Sequence, residues 1–236
     1  MSDKPRLLDL YSGAGGAGVG YTHAGFEVVG VDLHKQKNYP YEFHQGDALA
    51  YVAAHGHEYD AIHASPMCQV HSNASRLNPT REHIDLIPQT RYWLQALGKP
   101  YIIENVKGAR KLLHNPIMLC GCQFGLKTYR PRYFESNVYL SQPKHYPHDD
   151  NTPPVGKGKS AKGFFSLAQG GIPGVTYEER RIDGMGVDWV ITNYELSQAI
   201  PPAFTHYIGL QLINYLNNKT TIPVPATPDF NWRDYR

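Results

Sequence analysis

A short apolar run, Arg6–Leu10, leads directly into Ser12-Gly-Ala-Gly-Gly-Ala-Gly-Val-Gly20. So much glycine ends a strand and makes a tight turn, in which backbone N–H groups can approach a ligand and a helix can start with its positive end facing that ligand. Strand, glycine turn and helix together open a parallel α/β sheet. The following residues keep the same rhythm. Phe26–Val31 reads as a second strand ending in Asp32, and a short third strand closes near Gln45-Gly-Asp47. Tyr59–Ala64 is strand-like and stops at Ser65-Pro66, and Tyr101–Ile103 is strand-like after Gly98-Lys-Pro100. Between them, Thr80–Leu97 has helical spacing, with Ile84, Ile87, Trp93, Leu94 and Leu97 able to share a face. The alternation predicts a Rossmann-like sheet with crossover helices on both faces.

After residue 140 the pattern changes. Gln142–Gly163 is nearly free of apolar residues and carries lysines at 144, 157, 159 and 162, so it reads as an exposed, mobile loop. Glu195–Leu216 recovers helical periodicity through Ile200, Phe204, Ile208, Leu212 and Leu216, with Pro201-Pro202 near the helix start. Residues 217–236 form a polar tail. The expected organisation is a catalytic and cofactor-binding core at 1–140, a recognition region at 141–190, a return to the core at 191–216, and the tail.

Composition excludes more than it selects. A chain of 236 residues with 41% hydrophobic and 19% charged residues fits one α/β domain. A formal net charge of +2 is compatible with a nucleic-acid partner without requiring one. No stretch has the length of a membrane span, and no signal-peptide core precedes Arg6, so the expected compartment is the cytoplasm. The 3 cysteines do not form a disulfide framework. The 12 histidines show neither C-x-x-C nor H-x-x-x-H spacing with their surroundings, and the expectation is no metal.

Three places carry candidate chemistry. The glycine loop with Asp32 could bind a dinucleotide as well as any other ribose-containing cofactor, since Gly13-x-Gly15-x-x-Gly18 fits the dinucleotide fingerprint. Ser65-Pro-Met-Cys-Gln69 places Cys68 just after a strand, where ligands of parallel sheets bind, although a lone cysteine is more often a small buried hydrophobe. Glu104-Asn-Val106 ends another strand at the same edge, and Arg130-Pro-Arg132 follows with two guanidiniums. Singly these signals are weak. Their order and spacing are specific.

In that order they resemble the C5-cytosine DNA methyltransferase family. Leu8-Asp-Leu-Tyr-Ser-Gly-Ala-Gly-Gly16 matches its opening motif, Ser65–Gln69 its nucleophile motif, Glu104–Val106 its acid motif, and Arg130–Arg132 its Arg-x-Arg motif. Leu119-Cys-Gly-Cys-Gln-Phe-Gly125 is similar to short members, and Glu195-Leu-Ser-Gln-Ala-Ile-Pro-Pro-Ala-Phe-Thr205 to the closing cofactor motif. The resemblance runs from about residue 6 to 213. It implies transfer of a methyl group from S-adenosylmethionine to carbon 5 of a cytosine flipped out of duplex DNA, with Cys68 adding to carbon 6. Glu104 would contact and protonate the ring, Arg132 would contact its O2, and Arg130 would support the loop or a phosphate. Tyr11, Ser12, Gly13, Ala14, Gly15 and Gly16 would cradle the methionine part of the cofactor. Asp32 and Leu33 would take the ribose, Asp47 and Ala48 the adenine, with Pro66, Ala199 and Ile200 beside them. Gln69, His71, Ser72, Asn73 and Asn105 would be substrate-loop residues.

Two departures from the family stand out. Met67 occupies the position before the nucleophile where the family has proline, and only 62 residues separate Arg132 from Glu195. The reduced recognition region resembles short, phage-type members that shield DNA from restriction, and it leaves room for a protein partner or a second copy to supply specificity. Alternatives at this point are the same chemistry on RNA or a free cytosine nucleotide, an NAD(P)-dependent oxidoreductase, and a catalytically silent DNA-binding protein.

Overall fold

A computed structural model describes residues 4–67, 85–145, 148, 159–160, 163–165 and 172–218. Its centre is a seven-stranded sheet of order β3-β2-β1-β4-β5-β7-β6. The strands are β1 (Arg6–Leu10), β2 (Glu27–Asp32), β3 (Glu42–Gln45), β4 (Ala61–Ala64), β5 (Tyr101–Asn105), β6 (Ile117–Leu119) and β7 (Arg132–Ser136). The first five pair in parallel, whereas β7 runs antiparallel to both β5 and β6. The helices are α1 (Gly16–Ala24), α2 (Ala48–His55), α3 (Ile87–Leu97), α4 (Tyr177–Glu179), α5 (Asn193–Gln198) and α6 (Pro202–Asn218). The architecture is the Rossmann-like sheet, covered on both faces, that the strand and helix alternation predicts.

Alternation along β1 explains why both faces are covered. Leu7 joins a core with Tyr21 of α1 and Phe204 and Ile208 of α6. Leu8 and Leu10 point the other way, into a core with Val52 of α2 and Leu94 of α3. A strand apolar on both sides needs helices on both sides. α1 and α6 pack very closely. A Cβ on Gly20 would stand 2.1 Å from the Pro202 carbonyl oxygen and from Thr205 Oγ1, so only glycine admits this approach. Thr205 Oγ1 also donates to the Ala17 carbonyl at 2.9 Å, which fixes the register of the two helices.

Several sequence expectations need correction. The helix expected from Thr80 starts at Ile87, whose N–H is accepted by Asp85 Oδ1 at 3.0 Å, and residues 80–84 lie outside the described part. The periodic stretch from Glu195 is two helices, because Ala199-Ile200-Pro201 leaves the helical path and Pro202 restarts it. Proline cannot supply the helical N–H and turns its predecessor away from the α region. The Tyr59–Ala64 strand is shortened to Ala61 by a 3₁₀ turn over Gly56–Glu58. Strands β6 and β7 were not foreseen. Most of the expected loop at 142–163 lies outside the described residues, but its start is attached to the core: Met118 N donates to Gln142 Oε1 and Gln123 Nε2 to the Pro143 carbonyl, both at 2.8 Å. Among the described residues no helix is long and apolar enough to cross a membrane.

Gly20→Ala should lower the unfolding free energy by about 1–3 kcal/mol through overpacking, read by urea denaturation. Gly46→Ala, where a Cβ meets nothing within 4 Å, should leave the midpoint nearly unchanged.

Candidate active site

The carboxyl ends of β1, β2, β4 and β5 share one edge of the sheet, and most of the candidate residues lie along it. After β1 the chain turns sharply. Tyr11 has φ 58°, a left-handed conformation costly for a residue with a Cβ, and its hydroxyl shares a 3.0 Å hydrogen bond with Thr90 Oγ1 of α3. Ser12 N donates to the Val31 carbonyl at 3.1 Å, which joins the loop to β2. Gly13 has φ 50° with open space where a Cβ would stand, so its backbone is bare toward a ligand. Its N–H donates to Asp32 Oδ2 at 3.1 Å, and His34 N donates to Asp32 Oδ1 at 3.0 Å. Asp32 therefore shapes the loop, while each carboxylate oxygen keeps acceptor capacity for a hydroxyl.

The neighbouring groups suit a cofactor with an amino-acid end, a ribose and a flat ring. Ser12 Oγ is buried and makes no hydrogen bond, a polar atom that awaits a partner. Leu33, directly after Asp32, is 60% exposed, an apolar surface at the sheet edge on which a ring can pack. Asp47 caps α2 by accepting from Ala50 N at 2.8 Å through Oδ1, and Ala48 behind it is buried. Gly16 abuts Ala199 and Ile200, which brings the break between α5 and α6 against the glycine loop. Buried Ala14 offers its carbonyl to Trp189 Nε1 at 3.1 Å. Gly15 starts α1 as its N-cap. Among the described residues these groups fit S-adenosylmethionine.

Glu104 lies at the end of β5, buried. Because β7 is antiparallel to β5, its first residue, Arg132, is at the edge where β5 ends, and Arg132 Nε lies 3.0 Å from Glu104 Oε1. This is a charge contact outside hydrogen-bond alignment, and Oε1 makes no hydrogen bond. Burial raises the Glu104 pKa above the usual carboxylate value, against the opposing charges of Arg132 and Arg130 and a hydrogen bond from Ser65. Ser65 belongs to a buried chain: its Oγ is 2.9 Å from His63 Nε2, and His63 Nδ1 is 2.9 Å from the Tyr21 hydroxyl. Burial pushes the His63 pKa down to about 3, so the ring is neutral and passes hydrogen bonds without adding charge.

The other arginine acts differently. Arg130, with φ 36°, donates from Nε and Nη2 to the Ala199 carbonyl at 3.0 and 2.8 Å, and from Nη2 to the Ser197 carbonyl at 2.6 Å. Its contacts hold the α5–α6 break against the edge. Asn105, expected in the substrate loop, is buried, and its Nδ2 donates to the Pro66 carbonyl at 3.0 Å. It holds the chain two residues before Cys68. Pro66 is buried and Met67 is 49% exposed. Cys68, Gln69, His71, Ser72 and Asn73 lie outside the described residues.

Sequence reasoning gave no role to Ser65, His63, Tyr21, Trp189 or Asn38. Only Ser65 carried a local signal, as part of the nucleophile motif. Asn38 donates to both oxygens of Glu195 at 3.1 and 2.9 Å, while Glu195 also closes a capping box with Thr192 at the start of α5. These partners are remote in sequence and leave no local trace.

No family model and no curated protein matches the sequence. Solved structures do. The Dnmt2 methyltransferase of S. pombe aligns over 91% of this chain and 100% of its own, with TM-score 0.55 and 15% identity. The Entamoeba histolytica methyltransferase EhMeth aligns over 92% and 99%, with TM-score 0.55 and 13% identity. A protein described as a DNA modification methyltransferase encoded within an E. coli prophage aligns with TM-score 0.44 and 22% identity; the match spans 66% of this chain and 58% of that one. The fold is a methyltransferase fold.

The Glu104 carboxyl has a measurable signature. Its folded pKa lies above the unfolded one, so between the two values the folded chain binds more protons and stability falls as pH rises. Glu104→Gln, which imitates the protonated form, removes this term. The stability difference should move in the variant's favour as pH rises from the ordinary carboxylate range through the folded pKa, measured by denaturation at a series of pH values. A difference independent of pH would refute the raised pKa.

Proposed function

We propose that this chain is an S-adenosylmethionine-dependent methyltransferase acting on carbon 5 of cytosine in DNA, with Cys68 as the covalent nucleophile. The observation that carries the reading is Glu104: a buried carboxyl of raised pKa, beside Arg132, at the strand edge where the chain leads through Pro66 toward Cys68. Burial favours the protonated form of such a group, which can give its proton to a ring nitrogen as negative charge develops there.

Carbon 5 of cytosine is a weak nucleophile. Addition of the Cys68 thiolate to carbon 6 would form a C–S bond and move the ring electrons toward carbon 5, while Glu104 protonates N3. Bound S-adenosylmethionine supplies the methyl group. Loss of the carbon 5 proton to a base would then expel the Cys68 thiolate, and N3 would return its proton to Glu104, restoring the neutral aromatic ring and the acid. Arg132 would hold the O2 side of the base, and Arg130 would keep the closing segment in place through Ser197 and Ala199. Asn105 would fix the approach of the nucleophile loop. Asp32, Leu33, Asp47 and the Tyr11–Gly16 turn would hold the cofactor. The target base must leave the duplex, at a cost of a few kcal/mol.

The short stretch between Arg132 and Glu195 supports modest sequence recognition, in which lysines of 142–163 contact phosphates and a partner protein or second copy adds specificity. Shielding of phage DNA from restriction in a host cytoplasm is the biological role this reading favours. The same short stretch makes single-stranded DNA, tRNA and dCMP the substrates to compare.

Incubation with methyl-labelled S-adenosylmethionine should transfer label to duplex DNA in preference to those three. Cys68→Ser should abolish transfer, and Glu104→Gln should slow it by about 10²–10⁴-fold, the usual worth of a general acid. Transfer by Cys68→Ser at the parental rate would sink the covalent mechanism. Label entering tRNA or dCMP instead would move the substrate and keep the chemistry.

A further inference from the structure

Cys120, Cys122, His145 and His148 come together just beyond the carboxyl end of β6. Cys120 directly follows β6, and Gly121–Phe124 makes a single 3₁₀ turn. Gly121 N donates to the Tyr129 carbonyl at 2.6 Å, which folds the turn back and places the two sulfurs 3.6 Å apart. The chain leaving β7 runs beside this turn. Ser141 N donates to Gln211 Oε1 at 2.7 Å, and the Gln142 and Pro143 bonds to Met118 and Gln123 continue the attachment. That path delivers His145 and His148. The His148 ring stacks on Tyr129 with centroids 3.8 Å apart, and Tyr129 stacks in turn on Phe164 at 4.7 Å.

The four donor atoms lie within 4.8 Å of one another. His148 Nε2 is 3.2 Å from Cys120 Sγ and 3.2 Å from His145 Nε2. A tetrahedral zinc with bonds of about 2.3 Å to sulfur and about 2.0 Å to nitrogen sets its ligands roughly 3.3–3.8 Å apart. The observed spacings fall close to those edges. Two sulfurs and two imidazole nitrogens gathered this closely make a donor set that one cation can take in place of their mutual hydrogen bonds.

We propose that Cys120, Cys122, His145 and His148 bind one zinc ion in a closed, structural site. Sequence reading set a metal aside because the pairs are spaced Cys-x-Cys and His-x-x-His, and only β6, β7 and the turn between them bring the pairs together. Two thiolates with two imidazoles select zinc, and four protein ligands leave no position for substrate, so the ion does not take part in methyl transfer. It joins the turn before Arg130 and Arg132 to the start of the 142–163 stretch. This inference is independent of the proposed reaction.

The full chain, purified without chelator from zinc-supplemented medium, should carry one zinc ion per chain by plasma mass spectrometry. Cobalt(II) exchanged for zinc should give thiolate charge-transfer absorption and the d–d bands of a tetrahedral site. Cys122→Ser and His148→Ala should each lose most of the bound zinc, while Cys68→Ser should keep it. If those two variants fail to fold, the cobalt spectrum of the parent and the release of its zinc by a mercurial still decide the matter. A folded parent chain with neither stoichiometric zinc nor a tetrahedral thiolate cobalt spectrum would overturn the proposal. So would full zinc content in both Cys122→Ser and His148→Ala, or its loss in Cys68→Ser.

Discussion

A carboxylate taken out of water must meet a cation or take up a proton, because an uncompensated buried charge costs several kcal/mol. Glu104 is 6% exposed, and the structure around it gives part of each answer. Arg132 lies near enough to attract the charged form without full hydrogen-bond alignment, and burial favours the neutral one. This balance depends on one topological decision. Were β7 parallel to its neighbours, its first residue would sit at the opposite edge of the sheet. Reversing that strand carries a guanidinium to the carboxyl end of β5 with no loop to span the gap.

The second dependence is on the contact between α1 and α6. The glycine loop alone is a turn with bare amides. It becomes a cradle because Gly16 abuts Ala199 and Ile200, while Thr205 and Ala17 lock the two helices in register. A segment from the end of the described chain thus lies against one from its beginning, and Glu104, Arg130, Arg132 and the chain through Pro66 are arranged on the same sheet edge.

Much of this was legible in the sequence, for local reasons. The Leu7, Leu8, Leu10 pattern and the glycines after it define a strand, a turn and a helix within about twenty residues, and no distant contact is needed to read them. Glu104 and Asp32 were readable because each ends an apolar run. What was missed depends on distance. The Arg130 guanidinium is completed by carbonyls 67 and 69 residues away. The sequence Arg-Tyr-Phe-Glu-Ser is a strand only because β5 and β6 receive it, and the hold of Asn105 on the Pro66 carbonyl spans 39 residues of sequence. The break at Ala199-Ile200-Pro201 was hidden because helical periodicity carries across it, even though Pro201-Pro202 marked the restart.

Arg130 grips Ser197 and Ala199 while β7 is held in the sheet, so both ends of the segment between β7 and α5 are fixed beside the site. The entropy of such a closure grows slowly, by about 0.6 kcal/mol for each doubling of length. Residues of that segment can therefore be lost or gained at little entropic cost to the geometry at Glu104, whereas β7 and Arg132 must stay. On this view the length of the segment is a matter of attachment, and the geometry of the edge does not depend on it. The same edge could serve chains that carry long or short segments at this place.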